Sequence, residues 1–407
     1  MDADTFDHQV RPGIYLQSPE TLVDPFPTYA CMRKHHPVCQ VEPGGIWAVT
    51  CFDDVKYVLA TPEIFSSKAI NLLNESDWLS DESKHSRLII AQDPPDHSLY
   101  HGMVNRAFIS RVITTLEPLM RETAKSLMHQ FDDSAPVDFV ENFAYPYVGK
   151  ITRNIMGVGE KQSLAEIREW VDLEERSSPI RPDDTFIAAF EHAILRQNGH
   201  FLEVIEERRA NPQDDLITRL VNTEAEGKKL TDQQLCGVMS LLVSAGFATT
   251  VHMLNHAVMQ LSQRPDLMAH LVASPDRISS FIEELLRYSP SVLSSLRSTT
   301  KDTEVSGVTI PKDALVMPLI ASANRDISQF ENADVFDINR PKIKQHFTFG
   351  HGIHTCIGAA LARAELRIAL EVMLSKFTQF ICPADDQLLW KDSMFVRGVS
   401  ALPVTFR

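Results

Sequence analysis

A single cysteine, Cys356, lies in the stretch FTFGHGIHTCIG (347–358) among several glycines. The residues that follow predict a helix, because apolar side chains recur at spacings of four and three between Ile357 and Val372. At a helix N-terminus, backbone N–H groups and the helix dipole stabilise a thiolate over a thiol. Gly350 permits a sharp turn before the cysteine, and Gly358 leaves room for a flat ligand against the first helical turn.

Two interpretations of this stretch fit the residues taken alone. A thiolate beneath a planar macrocycle would be a haem ligand. A structural cysteine buried in a glycine-rich loop fits the bare spacing G-x-x-x-C-x-G equally well. The rest of the chain has to separate these two interpretations.

The stretch resembles the cysteine-ligand loop of the cytochrome P-450 family, F-x-x-G-x-x-x-C-x-G, with Phe349, Gly352, Cys356 and Gly358 at its fixed positions. Three more signatures follow in the family's order. They are DPPDHSLYHGMVNRAF (93–108), which resembles the third major helix, SAGFATT (244–250), which resembles the central helix, and EELLR (283–287), which resembles E-x-x-R. The resemblance covers nearly the entire chain and implies a bacterial, soluble haem-thiolate monooxygenase. It makes Cys356 the iron ligand of haem b.

The resemblance and the periodicity together predict a mainly α protein with a small β-rich portion (α+β). In the cytochrome P-450 fold, a long central helix lies over the haem and the cysteine loop lies beneath it. The chain has no internal repeat or obvious linker, so we expect a single domain over residues 1–407. Its β-rich parts are expected at roughly 38–65, 295–320 and 380–407.

The central helix has a readable start. Thr231 is the expected N-cap and Gln234 its capping-box partner, and the helix is expected to run to about Gln263, before Pro265. No charged residue lies between Asp232 and Arg264. Because histidine and asparagine interrupt the end of this apolar run, we interpret it as a buried helix and not as a membrane span.

The family's central-helix motif, A-G-x-(D/E)-T, appears here with its acid missing. The chain reads Ala245, Gly246, Phe247, Ala248, Thr249. The resemblance implies that Thr249 helps deliver the protons that split the O–O bond, while Gly246 and Thr249 loosen the helix and open a groove. Since Ala248 cannot relay a proton, water, Thr250 or a hydroxyl on the substrate is expected to substitute.

Haem propionates need cationic or hydrogen-bonding partners. By resemblance these are His97, Arg297 and His354, and His101 stands where the family usually has an arginine, so this charge titrates near neutral pH. Other residues expected against the haem are Ala245, Phe349, Gly350 and Gly358.

The E-x-x-R motif implies a buried scaffold beneath the haem. Glu284 and Arg287 would form it with a downstream arginine, here Arg340 in DVFDINRP. Bidentate guanidinium geometry suits arginine in this role and not lysine.

The substrate pocket is expected, by analogy, around residues 69–90, 171–187, 292–296 and 394–396. The candidates in it and on the central helix are Leu242, Phe247, Val292, Ser294, Ser295 and Phe395. Their apolar character predicts an apolar substrate. Ser294 and Ser295 could each bond a polar substrate group or serve as turn residues. Acids, alcohols and macrocycles, free or bound to a carrier protein, all remain candidates.

Composition restricts the partners. A net charge of −15 argues against nucleic-acid binding. The acidic N-terminus has no apolar h-region and the six cysteines have no C-x-x-C spacing, so we expect a cytoplasmic protein that is not bound to a membrane.

Electrons are expected to come from outside the chain. It has no G-x-G-x-x-G fingerprint and no cysteine cluster for iron–sulfur, so NAD(P)H-derived electrons would arrive through a ferredoxin and its reductase. Between Asp337 and Glu365 every charged residue is basic, which favours docking of an acidic ferredoxin there. These basic residues are Arg340, Lys342, Lys344, His346, His351, His354 and Arg363.

The sequence thus predicts a monooxygenase that inserts one atom of O2 into an apolar small molecule of secondary-metabolite or lipid and terpenoid type, by hydroxylation or epoxidation. A peroxide-driven oxygenase and a non-catalytic haem-binding recruitment protein are the alternatives. The presence of Thr249 disfavours both alternatives, and the presence of Cys356 also disfavours the recruitment protein.

Overall fold

The computed structural model describes residues 12–73, 79–80, 89–108, 110–132, 135–159, 163–176 and 183–407. The chain divides into two compact units. Unit 1 comprises Met1–Ala69, Glu283–Cys356 and Asp385–Val399. Unit 2 comprises Ile70–Ile282, Ile357–Ala384 and Ser400–Arg407. A single domain over residues 1–407 stays a prediction.

Helices dominate the described residues. In chain order they are α1 Pro19–Val23, α2 Phe26–His35, α3 Phe52–Ala60, α4 Asp96–Ala107, α5 Ser110–Met128, α6 Tyr145–Met156, α7 Leu164–Glu175, α8 Asp184–Ala210, α9 Leu216–Asn222, α10 Asp232–Gln263, α11 Pro265–Ala273, α12 Ile278–Tyr288, α13 Ile320–Ala323 and α14 Ala359–Lys376.

The strands are short. They are β1 Val38–Val41, β2 Ile46–Val49, β3 Phe65–Ser66, β4 Val137–Asp138, β5 Glu224–Ala225, β6 Lys228–Lys229, β7 Arg297–Thr299, β8 Thr303–Val305, β9 Val308–Ile310, β10 Leu315–Pro318, β11 Phe380–Ile381 and β12 Pro403–Phe406. Strands β4 to β6 lie outside the three stretches expected to be β-rich.

Unit 1 is built around a five-stranded sheet of order β1-β2-β10-β7-β3. Strands β10 and β2 pair in parallel, with Trp47 opposite Val316, and the other pairs are antiparallel. An aromatic cluster packs beside the sheet, in which the Phe52 ring stacks on the Phe347 ring with centroids 4.3 Å apart. Because Phe347 begins the glycine-rich stretch, this cluster anchors the start of the cysteine loop.

Unit 2 is mainly helical and contains α10. The predicted capping box is present: the Thr231 side chain accepts a hydrogen bond from the Gln234 N–H at 3.3 Å, and the Gln234 side chain accepts one from the Thr231 N–H at 2.9 Å. The predicted end at Gln263 is also confirmed. Within the described residues α10 is the one helix long and apolar enough to span a membrane. Its most apolar window is 67% buried, as in a core helix.

Helix α14 follows the cysteine loop, as the periodicity predicts, and Gly358 is its N-cap residue. It packs against α5 and α10, and its buried side chains include Ala364, Ile368 and Val372. A small sheet of order β11-β12-β4 completes this unit, with the Phe406 ring packed against Phe377 and Phe380.

Candidate functional site

Cys356 is exposed and lies at the end of a tight turn. Its backbone N–H donates to the carbonyl of Phe349 at 2.8 Å. Gly350 and Gly352 have φ angles of +73° and +74°, which L side chains rarely adopt. A Cβ at Gly352 would also lie 2.8 Å from the carbonyl oxygen of Leu59. Glycine is therefore required at both positions to present the sulfur one turn ahead of α14.

One face of α10 is left partly uncovered. Leu242, Gly246 and Thr249 are half-buried and Ala245 is exposed, while most residues around them on this core helix are buried. Their spacing of three and four residues puts them on a single face. A Cβ added at Gly246 would meet no heavy atom of the described residues within 4 Å. We call these four residues the open face of α10.

Of the motif residues, Thr249 lies on the open face and its hydroxyl donates to the carbonyl of Ala245 at 2.7 Å. Ala248 is 7% exposed and carries no polar group. Phe247 is 1% exposed, its ring lies 5.3 Å from that of Tyr145 on α6, and it packs close to Gly149. Phe247 is therefore a core residue of unit 2, away from the open face.

Thr250 points toward α14. It is 3% exposed and hydrogen-bonded to the side chain of Glu365, which is also 3% exposed. Burial raises the pKa of Glu365 to about 8, and the bond to Thr250 offsets only part of that rise. The carboxyl group is therefore mostly protonated at neutral pH. Sequence reasoning missed Glu365, although an acid four residues after Leu361 on the apolar stripe of a helix was a readable signal.

The predicted propionate partners occur in both units. In unit 1, the His354 ring is 2.9 Å from the hydroxyl of Ser67, and the Arg297 guanidinium, 4% exposed, donates to the Ser295 hydroxyl and to the Leu296 carbonyl. In unit 2, the rings of His97 and His101 lie 5.1 Å apart on α4, with His97 only 2% exposed.

Glu284, Arg287 and Arg340 are in contact in unit 1. Arg287 donates two hydrogen bonds to the Glu284 carboxylate, at 2.8 and 2.7 Å, and Arg340 donates a third at 3.2 Å. Glu284 and Arg287 are fully buried. Arg287 also donates to the carbonyls of Asn324 and Ala333, at 2.9 and 2.8 Å, so the ion pair joins α12 to two later segments.

Asn324, which sequence reasoning missed, connects this network to the cysteine loop. Its side-chain carbonyl accepts from the Phe347 N–H at 2.7 Å, and its amide donates to the Thr348 hydroxyl at 2.9 Å. That hydroxyl in turn donates to the carbonyl of Leu286 on α12 at 2.6 Å. Asn324 is fully buried, and a polar residue in the apolar run after β10 was the only signal in the sequence.

The predicted pocket residues of unit 1 lie on two neighbouring segments. Val292 forms an isolated bridge with Val396, and the Leu293 N–H donates to the Phe395 carbonyl at 2.8 Å. The Ser294 hydroxyl donates to the Met394 carbonyl at 2.9 Å and so joins the segments. The Ser295 hydroxyl accepts from Arg297. Much of the other two predicted pocket stretches, at 74–78, 81–88 and 177–182, lies outside the described residues.

The residues present fit a haem. Cys356 offers an exposed sulfur at the start of a helix, where a thiolate is favoured, and a larger side chain at Gly350 or Gly352 would disrupt the turn that presents it. In unit 2, the space beside Gly246 leaves the open face of α10 accessible. Within unit 1, Arg297 and His354 have side chains suited to haem propionates.

Comparison with known proteins agrees with this chemistry. The cytochrome P450 family model matches residues 25–278 and 276–405. Cytochrome P450 109 of Bacillus spizizenii is 34% identical over 96% of this chain and 93% of its own length. Vitamin D(3) 25-hydroxylase of Pseudonocardia autotrophica is 32% identical over 98% of this chain and 97% of its own. The structure of cytochrome P450 CYP109Q5 from Chondromyces apiculatus covers 97% of this chain and 98% of its own, with a TM-score of 0.89 and 30% identity.

The fold and the matches define a haem-dependent oxygenase. The chain belongs to the cytochrome P450 family, and it is a monooxygenase. The predicted fold class, mainly α with small sheets and a long central helix, is confirmed.

Proposed function

We propose that the protein inserts one atom of O2 into an apolar small molecule, by hydroxylation or epoxidation, with electrons from NAD(P)H delivered by a separate ferredoxin and its reductase. The observation that carries the proposal is the turn at Cys356, which exposes a sulfur directly ahead of the N-terminus of α14. Haem, when bound to a thiolate, supplies the activation of O2.

The residues of the turn prepare the sulfur for this task. The hydrogen bond from the Cys356 N–H to Phe349 fixes the backbone, and the positive end of α14 favours the thiolate over the thiol. Arg297 and His354 in unit 1, and His97 and His101 in unit 2, are the proposed cationic or hydrogen-bonding partners of the propionates.

Thr249 is the proposed proton carrier. Its hydroxyl donates to the Ala245 carbonyl, which leaves its oxygen lone pairs able to accept a hydrogen bond from a proton donor on the open face. Gly246 keeps space beside it, because a side chain there would project into the open region. Ala248 has no ionisable group, so the donor that serves Thr249 lies elsewhere.

The proposed substrate is apolar and binds along the open face of α10, where Leu242 and Ala245 contribute aliphatic carbon. A relative named for hydroxylating vitamin D3 supports a substrate of this character. Ser294 and Ser295 stay candidates for binding one polar group of the substrate, since the Ser294 hydroxyl can still accept a hydrogen bond and the Ser295 hydroxyl can still donate one.

The proposed ferredoxin surface is narrower than the sequence indicates. Lys342 and Lys344 are exposed, whereas Arg340 and His346 are buried and bonded to glutamates. Burial and the nearby Lys56 lower the pKa of His351, so this histidine adds little charge at neutral pH.

Charge reversal tests this surface. We expect Lys342→Glu with Lys344→Glu to slow ferredoxin-driven reduction at low salt, and Lys312→Glu, an exposed control elsewhere in unit 1, to leave it unchanged. Equal rates in all three proteins would mean that the ferredoxin docks elsewhere.

A cytoplasmic location belongs to the same proposal. Most of the apolar window of α10 is buried inside the protein, so this helix needs no membrane around it. Reduced nicotinamide and ferredoxin are available in the cytoplasm.

The decisive experiment is the optical spectrum of the reduced protein with carbon monoxide. We expect the long-wavelength Soret band of a thiolate-bound haem, lost in Cys356→Ser and kept in Cys31→Ser, a substitution of another exposed cysteine. A parent spectrum like that of a histidine-ligated globin would overturn the proposal. Turnover with peroxide equal to turnover with ferredoxin and reductase would favour the peroxide-driven alternative, and a bound but untransformed substrate would favour the recruitment role.

A further inference from the structure

A buried histidine on α10 lies one turn beyond the missing acid of the motif, and it pairs with an acid on α7. The Nε2 atom of His252 lies 2.7 Å from a carboxylate oxygen of Glu175, the last residue of α7. The side chain of His252 is 1% exposed and that of Glu175 is 9% exposed. The Nδ1 atom of His252 is buried and makes no hydrogen bond to any described residue.

Helix geometry relates this pair to Ala248 and Thr249. His252 is four residues after Ala248 and three after Thr249, so its side chain neighbours each of them on the surface of α10, one turn further along. Side chains on an α-helix tilt toward its N-terminus and cover the preceding turn. The His252 ring therefore lies toward the turn that carries Ala248 and Thr249, where the alanine side chain provides no ionisable group.

Glu365, the other buried acid described above, contacts a different face of α10. Glu365 is bonded to Thr250, which is one residue past Thr249 and so is rotated by about 100° around the helix axis. It therefore serves the face of α10 that packs on α14, not the open face. His252, paired with Glu175 of α7, is an ionisable side chain on α10 one turn beyond Thr249.

We propose that His252, held by Glu175, takes the place of the acid missing at position 248 and supplies protons to the hydroxyl of Thr249. This inference rests on the role of Thr249 proposed above. His252 acts through Thr249, directly or through one bridging water, and is therefore a positioning and relay residue. Glu175, the more exposed partner, exchanges protons with the solvent.

The proton balance of the reaction defines what the pair must do. One turnover consumes O2, the substrate, two electrons from the ferredoxin and two protons, and it yields the hydroxylated product and one water. As Thr249 gives a proton to the reacting oxygen, its hydroxyl recovers one from Nδ1 of His252. A proton arriving at Glu175 passes to Nε2, and exchange of the ring tautomer resets the histidine.

Coupling is the first measurement, as the ratio of product formed to NAD(P)H consumed. His252→Phe removes both ring nitrogens at similar volume, and His252→Gln keeps a hydrogen bond to Glu175 but cannot transfer a proton. We expect the ratio to fall by about tenfold or more in each, because a positioned acid or base typically contributes roughly 10²–10⁴-fold. His256→Gln replaces another buried histidine one turn further along α10 and is expected to leave the ratio unchanged.

Combination with Thr249→Ala separates a relay from a merely structural role. If His252 acts through Thr249, the double variant with His252→Phe couples no worse than Thr249→Ala alone. The solvent isotope effect on product formation should also rise in His252→Gln. A readout independent of turnover is the histidine ¹⁵N spectrum of the reduced, carbon monoxide-bound protein. There, the His252 signals should change in Glu175→Gln and stay unchanged in His256→Gln.

Other results would overturn the inference. If Thr249→Ala lowers coupling but neither His252 variant does, the relay is wrong while the role of Thr249 stands. If Glu365→Gln lowers coupling and His252→Gln does not, the proton comes through Thr250. If Thr249→Ala itself leaves coupling unchanged, the proposed role of Thr249 fails and the relay fails with it.

Discussion

The backbone N–H of Cys356 is hydrogen-bonded to the carbonyl of Phe349 at 2.8 Å, across a turn that contains two glycines of positive φ. The bond closes the turn seven residues after its start, so the sulfur position depends on the backbone and not on a flexible side chain. Any change that opens this turn is therefore expected to affect haem ligation before it affects the rest of unit 1.

Gly352→Ala tests this dependence. Alanine would have to adopt the φ of +74° at this position, which L residues rarely adopt. Its methyl group would also lie 2.8 Å from the carbonyl oxygen of Leu59, and a backbone atom cannot move aside without a large cost. We expect a loss of stability of about 1–3 kcal/mol and a shift of the carbon monoxide spectrum away from the thiolate form. The matched control is Gly199→Ala in the interior of α8, where no described heavy atom lies within 4 Å. That change should raise stability by up to about 1 kcal/mol. Equal melting temperatures for the two variants would contradict the strained turn.

Arg287→Lys should be severely destabilising. Lysine keeps the charge but loses the bidentate contact with Glu284 and the bonds to the Asn324 and Ala333 carbonyls, all in a fully buried site. We expect a loss of about 3 kcal/mol in urea unfolding. Arg264 makes a similar bidentate contact with Asp266 at an exposed site, so Arg264→Lys should cost less than about 0.5 kcal/mol. Similar losses at both sites would show that burial does not determine the effect.

Asn324→Ala should separate the cysteine loop from the E-x-x-R network. The substitution leaves the buried Phe347 N–H without its acceptor, at a cost of about 1–3 kcal/mol, and removes the donor to the Thr348 hydroxyl, which keeps its bond to the Leu286 carbonyl. We expect faster loss of haem and a partial shift of the carbon monoxide band. Asn222→Ala, which removes a bond from an exposed residue to the Thr218 carbonyl, is the control and should leave both unchanged. Full retention of the thiolate band in Asn324→Ala would contradict this positioning role.

Glu365→Gln should change how stability depends on pH. Burial raises the pKa of Glu365 from 4.5 to about 8, so between these values the folded protein holds a proton that the unfolded chain releases. The parent therefore loses stability relative to the glutamine variant as the pH rises through this interval. Melting temperatures of both proteins from pH 5 to pH 8 measure the difference, and a constant difference would contradict the raised pKa.

Glu371 on the same helix supplies the opposite control. Burial alone would raise the pKa of Glu371, but hydrogen bonds from Arg121 and Arg367 outweigh it and lower the pKa. Its stabilising contribution is present above the unfolded value of 4.5 and is lost as the pH falls through the folded value. Relative to the parent, Glu371→Gln should therefore be destabilised at neutral pH and should recover in acid.

Local signals in the sequence predicted the elements well. The capping box at Thr231 marked the start of α10, and the apolar spacing after Cys356 marked α14. Both depend on residues within one or two helical turns of each other, which a linear pattern records.

Long-range relationships could not be read in this way. The contact of Asn324 with Phe347 depends on two segments meeting in the folded chain, and the burial of Arg340 and His346 removed two cations from the predicted basic surface. Phe247 occupies the motif position expected at the pocket, yet the approach of α6 makes it a core residue. Neither composition nor periodicity contains this information.

The parallel pairing of Trp47 with Val316 has a consequence for biosynthesis. As the chain leaves the ribosome, β1 and β2 emerge early. Strand β10, which pairs with β2 in the folded sheet, appears only after most of the polypeptide has been translated. Until β10 is translated, the edge of β2 in the nascent hairpin has no strand paired with it. This edge can bind chaperones or pair with other nascent chains. Ribosome pausing or truncation before β10 should leave this edge exposed, whereas the same interruption after residue 356 should not.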